Sequence, residues 1–214
     1  MKNTPATLTL LALTAAATAQ TAPAAAPAAT GFNYNTVALT SSTEDFKDIA
    51  DHLTLTTVSV TNRLGKNVVA SLGLVVAGAE KYDNEDLSDG IAASIGYIHS
   101  LNSTTDLVFS VSSLNANTSE SDSQSISKLG FDVALRHNLG SGLELTASVG
   151  RDTYTHEGSD SSVAASGSDR STASLGVSYA LTKEIAVAAK ANWAFSESDD
   201  TDSRGYTLSA SYSY

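Results

Sequence analysis

The sequence predicts an all-β fold: a closed antiparallel up-and-down transmembrane β-barrel of about ten strands, with eight as the alternative count. Three observations predict it. Apolar and small polar residues alternate with period two over most of the chain. The connections between these runs alternate long and short. Acidic charge is cleared from the runs and gathered in the long connections.

The N-terminal stretch is set apart from that pattern. Met1 and Lys2 begin a short basic start, Ala6 to Ala16 is apolar apart from threonines, and Ala17-Thr18-Ala19 has the small residues of a cleavage site. Residues 1–19 are expected to be a signal peptide and the Ala/Pro-rich residues 20–30 a tether, leaving 31–214 for the barrel.

Ten strands are expected at 31–40, 52–62, 67–79, 89–100, 106–118, 125–138, 142–155, 169–181, 184–197 and 204–214. The clearest alternation is Ile185, Val187, Ala189, Ala191, Trp193 and Phe195 against Ala186, Ala188, Lys190, Asn192, Ala194 and Ser196. The run Leu129, Phe131, Val133, Leu135 and the run Leu143, Leu145, Ala147, Val149 follow the same rule. Two early strands are less regular. Leu53 and Leu55 share one parity and Val58 and Val60 the other, which points to a bulge near Thr56-Thr57. In the first strand either Phe32/Tyr34 or Val37/Leu39 could be the apolar face. The segment Glu44–His52 could form one helical turn in the first loop, with Phe46 and Ile49 on one side.

The short connections are Arg63–Lys66, Leu101–Thr105, Leu139–Ser141 and Thr182–Glu184. The long ones hold or border 18 of the 23 acidic residues, balanced there by Lys47, Lys81, Arg170 and Arg204. Tight turns at one rim and longer acidic loops at the other are the pattern of barrels with periplasmic turns and extracellular loops. An even strand number places both ends of the barrel at the short-turn rim. In lipid every backbone N–H and C=O must be paired, so a sheet there has to close. Aromatic residues should then collect at the two interfaces. Tyr97, Tyr179, Tyr212 and Tyr214 fall near the short-turn end, and Tyr82, Tyr154, Trp193, Phe195 and Tyr206 near the long-loop end.

The parity of the strands sends Asp106, Lys128, Asp132, Arg136, Glu144, Asp152 and Lys190 into the lumen. A turn centred on Gly140 would oppose Arg136 to Glu144 and Lys128 to Asp152. These charges are expected to form an interior network that holds the barrel. A charged constriction in a narrow pore is the functional alternative.

The alternating C-terminal run Gly205 to Tyr214 and segments such as Ala173-Ser-Leu-Gly-Val-Ser-Tyr179 resemble the small Gram-negative outer-membrane barrel families: OmpA-like transmembrane domains, OmpX, and Opa-like "porin family" proteins. The resemblance implies an assembly signal at Tyr214, Tyr212, Ala210 and Leu208, read by the barrel-assembly machinery. It also implies integral outer-membrane localisation after export, among outer-membrane lipid and lipopolysaccharide.

The net charge of −11 speaks against nucleic acid as a partner. Without cysteine there is neither a disulfide nor a thiolate metal site. His52, His99, His137 and His156 have no metal-binding spacing, and no G-x-S-x-G occurs. Asp152 and His156, with Ser159 or Ser161, could meet at the rim, but serine and aspartate are abundant there. The acidic clusters Asp83–Asp86 and Asp199–Asp202 could bind Ca²⁺ or bridge lipopolysaccharide, but neither follows an EF-hand loop. The expectation is a non-enzymatic barrel without cofactor, catalytic residue or bound metal. Its role is structural or surface-interacting, with an extracellular ligand or small solutes as further partners and at most weak small-solute permeability. The alternatives are a narrow porin, a rim enzyme acting on lipid A or peptides, and a soluble secreted β-protein.

Overall fold

The computed structural model describes residues 32–46, 52–80, 86–118, 125–157, 166–196 and 202–214. The stretches expected to be signal peptide and tether and the interiors of the five long loops lie outside the described residues, as do both acidic clusters apart from Asp86 and Asp202. The described chain forms ten strands: β1 (Thr36–Phe46), β2 (His52–Leu64), β3 (Val68–Glu80), β4 (Asp86–Asn102), β5 (Thr105–Thr118), β6 (Ser125–Gly140), β7 (Leu143–Glu157), β8 (Ser166–Ala180), β9 (Ile185–Ser196) and β10 (Ser203–Ser213). Each pairs antiparallel with its neighbours in sequence, and β1 pairs with β10 to close the barrel. No sheet edge is left open. At about 3.3 Å per residue the 11 residues of β1 reach about 36 Å, so even strongly tilted they cover the roughly 25 Å apolar band of such barrels.

Side-chain direction follows the alternation. Leu145, Val177 and Val187 project outward and are exposed, as are Leu72, Ile95, Val111, Leu129, Val149, Leu175 and Leu208. An ordinary soluble protein does not leave a continuous belt of this kind in water; it suits hydrocarbon. Tyr97, Tyr179, Tyr212 and Tyr214 stand outward toward the short-turn end, and Trp193, Phe195 and Tyr206 outward toward the long loops. The inward residues are mostly serine, threonine, glycine and charged groups. Gly205 shows how tightly the wall closes: a Cβ there would collide with the carbonyl of Thr43 on β1.

Two expectations are corrected, the extent of the first strand and the centre of the β6–β7 turn, and two open points are resolved. The first strand starts at Thr36 rather than 31 and runs to Phe46, so Glu44, Asp45 and Phe46 are strand and not part of a helical turn. Val37 and Leu39 belong to its outward parity, paired with Val60 and Val58, while Phe32 and Tyr34 precede the strand. The register does shift at Thr56/Thr57, but β2 keeps its parity. The unpaired residue is Val76 on β3, and Leu55 turns inward toward the bore. Finally, the β6–β7 turn is centred on Ser141, one residue later than expected. Gly140, Ser141 and Gly142 all have positive φ (85, 53 and 79°), and Asn138 Oδ1 accepts from the Gly140 N–H at 2.8 Å. This left-handed run bulges out Leu139, so Arg136 opposes Thr146, and Lys128 opposes Tyr154.

Candidate functional site: the bore

The inward charges gather into two clusters, one toward each end. Toward the long loops, Asp152 on β7 accepts from Lys128 Nζ at 2.7 Å and from Arg170 Nε at 3.2 Å. The expected pair Lys128–Asp152 is therefore present, but on the diagonal of the corrected register. Arg170 on β8 also donates through Nη1 to Glu44 Oε1 on β1 at 2.8 Å. Ser203 on β10 accepts a longer contact from Nη1 at 3.4 Å and itself donates a short bond to Glu44. The Arg170 side chain is 1% exposed and that of Asp152 is 3% exposed. The cluster joins the wall from β6 round to β1, more than half of the ring.

Asp132 and Lys190 lie just inside this cluster, and both line a cavity of about 460 Å³ together with Lys128, Asp152, Arg170 and Glu44. Lys190 and Lys128 both act electrostatically on Asp132.

The second cluster lies at the short-turn mouth. Arg136 on β6 donates to both carboxylate oxygens of Glu144 on β7, at 2.7 and 2.9 Å. This pair too is diagonal, the two-residue offset being within reach of long side chains. The guanidinium sits over two rings, 4.7 Å from the centroid of Phe32 and 4.5 Å from that of Tyr34. The Tyr34 hydroxyl donates to Asp106 Oδ2 on β5 at 2.7 Å. Burial pushes this hydroxyl up to about 12, against the pull of the Arg136 charge. Arg63 on β2 lies over the same ring at 5.5 Å. A cavity of about 820 Å³ fills the rest of the mouth, lined from β6 through β10 to Thr36 on β1 and Thr61 on β2.

Sequence reasoning assigned Asp106, Lys128, Asp132, Arg136, Glu144, Asp152 and Lys190 to the interior, and all seven stand on inward positions. It missed Arg170, Glu44 and Tyr34. Arg170 is legible in the sequence by its parity with Thr172 and Ser174 on β8, although it borders an acidic loop. Glu44 falls in an expected loop and Tyr34 in an expected strand.

Leu208, Ala210, Tyr212 and Tyr214 share the outward face of β10, and the Tyr214 hydroxyl donates to Asn62 Oδ1 at 2.7 Å. Of the histidines, His99 is exposed and His137 Nδ1 lies 2.9 Å from Thr105 Oγ1. The side chains of His52 and His156 are outside the described residues, so the Asp152/His156 idea rests on sequence alone. Among the described residues no group of three acidic or histidine side chains could hold a metal ion.

No protein-family model and no curated protein matches this chain. Among solved structures it is similar to the NanC porin (10% identity, 82% of this chain and 100% of the other, TM-score 0.48). It is also similar to Ail, the attachment invasion locus protein of Yersinia pestis (11% identity, 86% and 100%, TM-score 0.47). A third is the outer membrane protease OmpT from Escherichia coli (8% identity, 85% and 97%, TM-score 0.45). Likenesses this distant carry no function across.

Proposed function

We propose that this chain is an integral, non-enzymatic barrel of a Gram-negative-type outer membrane, structural or surface-interacting, with at most weak permeability to small solutes. The belt of exposed Leu, Val, Ile and aromatic residues supports the membrane setting, because hydrocarbon is the solvent it fits. The one observation that carries the closed bore is Arg170: its side chain is 1% exposed and bridges Asp152 to Glu44. A guanidinium lining an open aqueous channel would be wet.

In this reading the short turns face the periplasm and the acidic loops the exterior. The partners are outer-membrane lipid, including lipopolysaccharide, and the assembly machinery, which would read Leu208, Ala210, Tyr212 and Tyr214. Heat-modifiable migration on SDS gels with outer-membrane fractionation tests the setting; a protein soluble without detergent overturns it. Single-channel recording in planar bilayers tests the closed bore, and steps of negligible conductance are expected.

A narrow porin is the second reading, favoured by the two polar cavities of about 460 and 820 Å³ in the bore. Clear, saturable solute flux would select it.

A further inference from the structure

Strand pairing begins at Thr36 and Asn35 extends it by one backbone bond from Tyr214, but residues 32–34 leave the wall. In a ring of ten strands β1 lies opposite β6. Tyr34, two residues before β1, nevertheless bonds Asp106 on β5 and lies against Arg136 on β6. The segment therefore crosses the mouth from one wall to the far one.

Its anchor is at Asn35. The Asn35 carbonyl accepts from the Tyr214 N–H at 3.2 Å, and its side-chain Oδ1 accepts from the Arg63 N–H at 2.8 Å. Asn33 Oδ1 accepts from the Asn35 N–H at 2.9 Å and shapes the bend. Beyond this anchor Phe32 and Tyr34 are held through side chains: both rings under the Arg136 guanidinium, the Tyr34 ring also beneath Arg63 of β2, and the Tyr34 hydroxyl on Asp106.

The wall opposite is dry. Tyr34 is 7% exposed, Asp106 5% and Ile98 1%. Ile98 pairs with Val108 on the inward face of β4 and β5, and neither borders the two cavities of the bore. The vestibule is lined from β6 through β10 to Thr36 on β1 and Thr61 on β2, with Phe32 and Tyr34 at its edge, and none of its lining lies on β3, β4 or β5.

We propose that residues 32–35 are a latch: they swing on Asn35, and in the closed position seen here they seal the β4–β5 side of the periplasmic mouth against entry into the bore. A rigid wall segment would be tied into the ladder by its backbone. This one is fastened at its tip by a few polar and cation–π contacts that can be lost together. The proposal rests on the membrane-barrel reading for its sidedness only.

The natural chain has no cysteine, so one introduced thiol reports alone. The test is Val108→Cys in the full chain, in detergent micelles, reacted with a small charged methanethiosulfonate reagent. Native-like heat-modifiable migration of each variant shows that the barrel is folded. With the latch intact the thiol should react slowly. Adding Phe32→Ala with Tyr34→Ala should speed it by about tenfold or more, because a rarely populated open state becomes the common one. Tyr34→Phe, which keeps the ring and deletes the hydroxyl with its interactions with Asp106 and Arg136, should fall between. Equal rates in all three backgrounds overturn the latch, as does fast reaction with the latch intact. Channel recording of the natural chain bears on the closed bore and not on this result, so the two readings fail separately.

Discussion

Arg170 on β8 and Glu44 on β1 are 126 residues apart in sequence, and their side chains meet at 2.8 Å inside the bore. The contact runs past β9 and β10 and ends on the strand that closes the barrel. Its energetics are those of a buried ion pair, whose desolvation cost offsets much of its Coulomb gain.

Breaking that cluster on one side should therefore cost more than replacing it whole. Arg170→Met leaves Asp152 and Glu44 facing each other without their shared cation and should destabilise the barrel by about 3–5 kcal/mol. The combination Arg170→Met, Asp152→Leu, Glu44→Gln, Lys128→Met, which also removes the cation paired with Asp152, should recover most of that loss. Urea unfolding from lipid vesicles checks both, followed by Trp193, the single tryptophan. An Arg170→Met variant as stable as the parent would show that the cluster is not coupled to folding.

Reversing the charge at the other end gives an independent check. Arg136→Glu sets two carboxylates together at Glu144 and removes the cation between Phe32 and Tyr34. A loss of about 2–4 kcal/mol is expected, with part returned by Glu144→Arg. Unchanged stability would reduce the interior network to decoration.

Depth in the membrane should be readable from the outward face. Leu175 is exposed in the middle of the belt, between Ala147 and Ala191, while Leu181 is exposed beside the β8–β9 turn. Leu175→Arg should cost about 2–4 kcal/mol and Leu181→Arg about 0–1. Equal costs in lipid vesicles would argue against hydrocarbon around Leu175.

Tyr34 gives the latch a signature at high pH. Its hydroxyl is pushed up to about 12, chiefly by burial, with Arg136 pulling it down and Asp106 pushing it up; Arg63 also faces the ring. A hydroxyl that holds its proton more tightly when folded stabilises the closed state fully below its ordinary value near 10. That contribution fades as pH rises from 10 through about 12. Ultraviolet titration should show one of the eight tyrosines ionising near pH 12, and Tyr34→Phe should remove that step. A titration unaltered apart from a missing step near pH 10 would place Tyr34 in water.

How much was legible follows from the kind of rule that governs each feature. Alternation is local and has period two, so the strand count, the outward face of Leu145, Val177 and Val187, and the inward face of Lys128, Asp132, Arg136, Glu144, Asp152 and Lys190 could be read from the chain. Register depends on turn geometry. The three successive positive-φ residues at 140–142 moved the β6–β7 pairing by two places, yet Arg136 and Glu144 still met because long side chains reach diagonally. Contacts across the bore obey no local rule. That Arg170 finds Glu44, and that Tyr34 crosses from β1 to Asp106, is decided only when β1 meets β10 and the ring acquires an inside, since closure brings together residues that no sequence period relates.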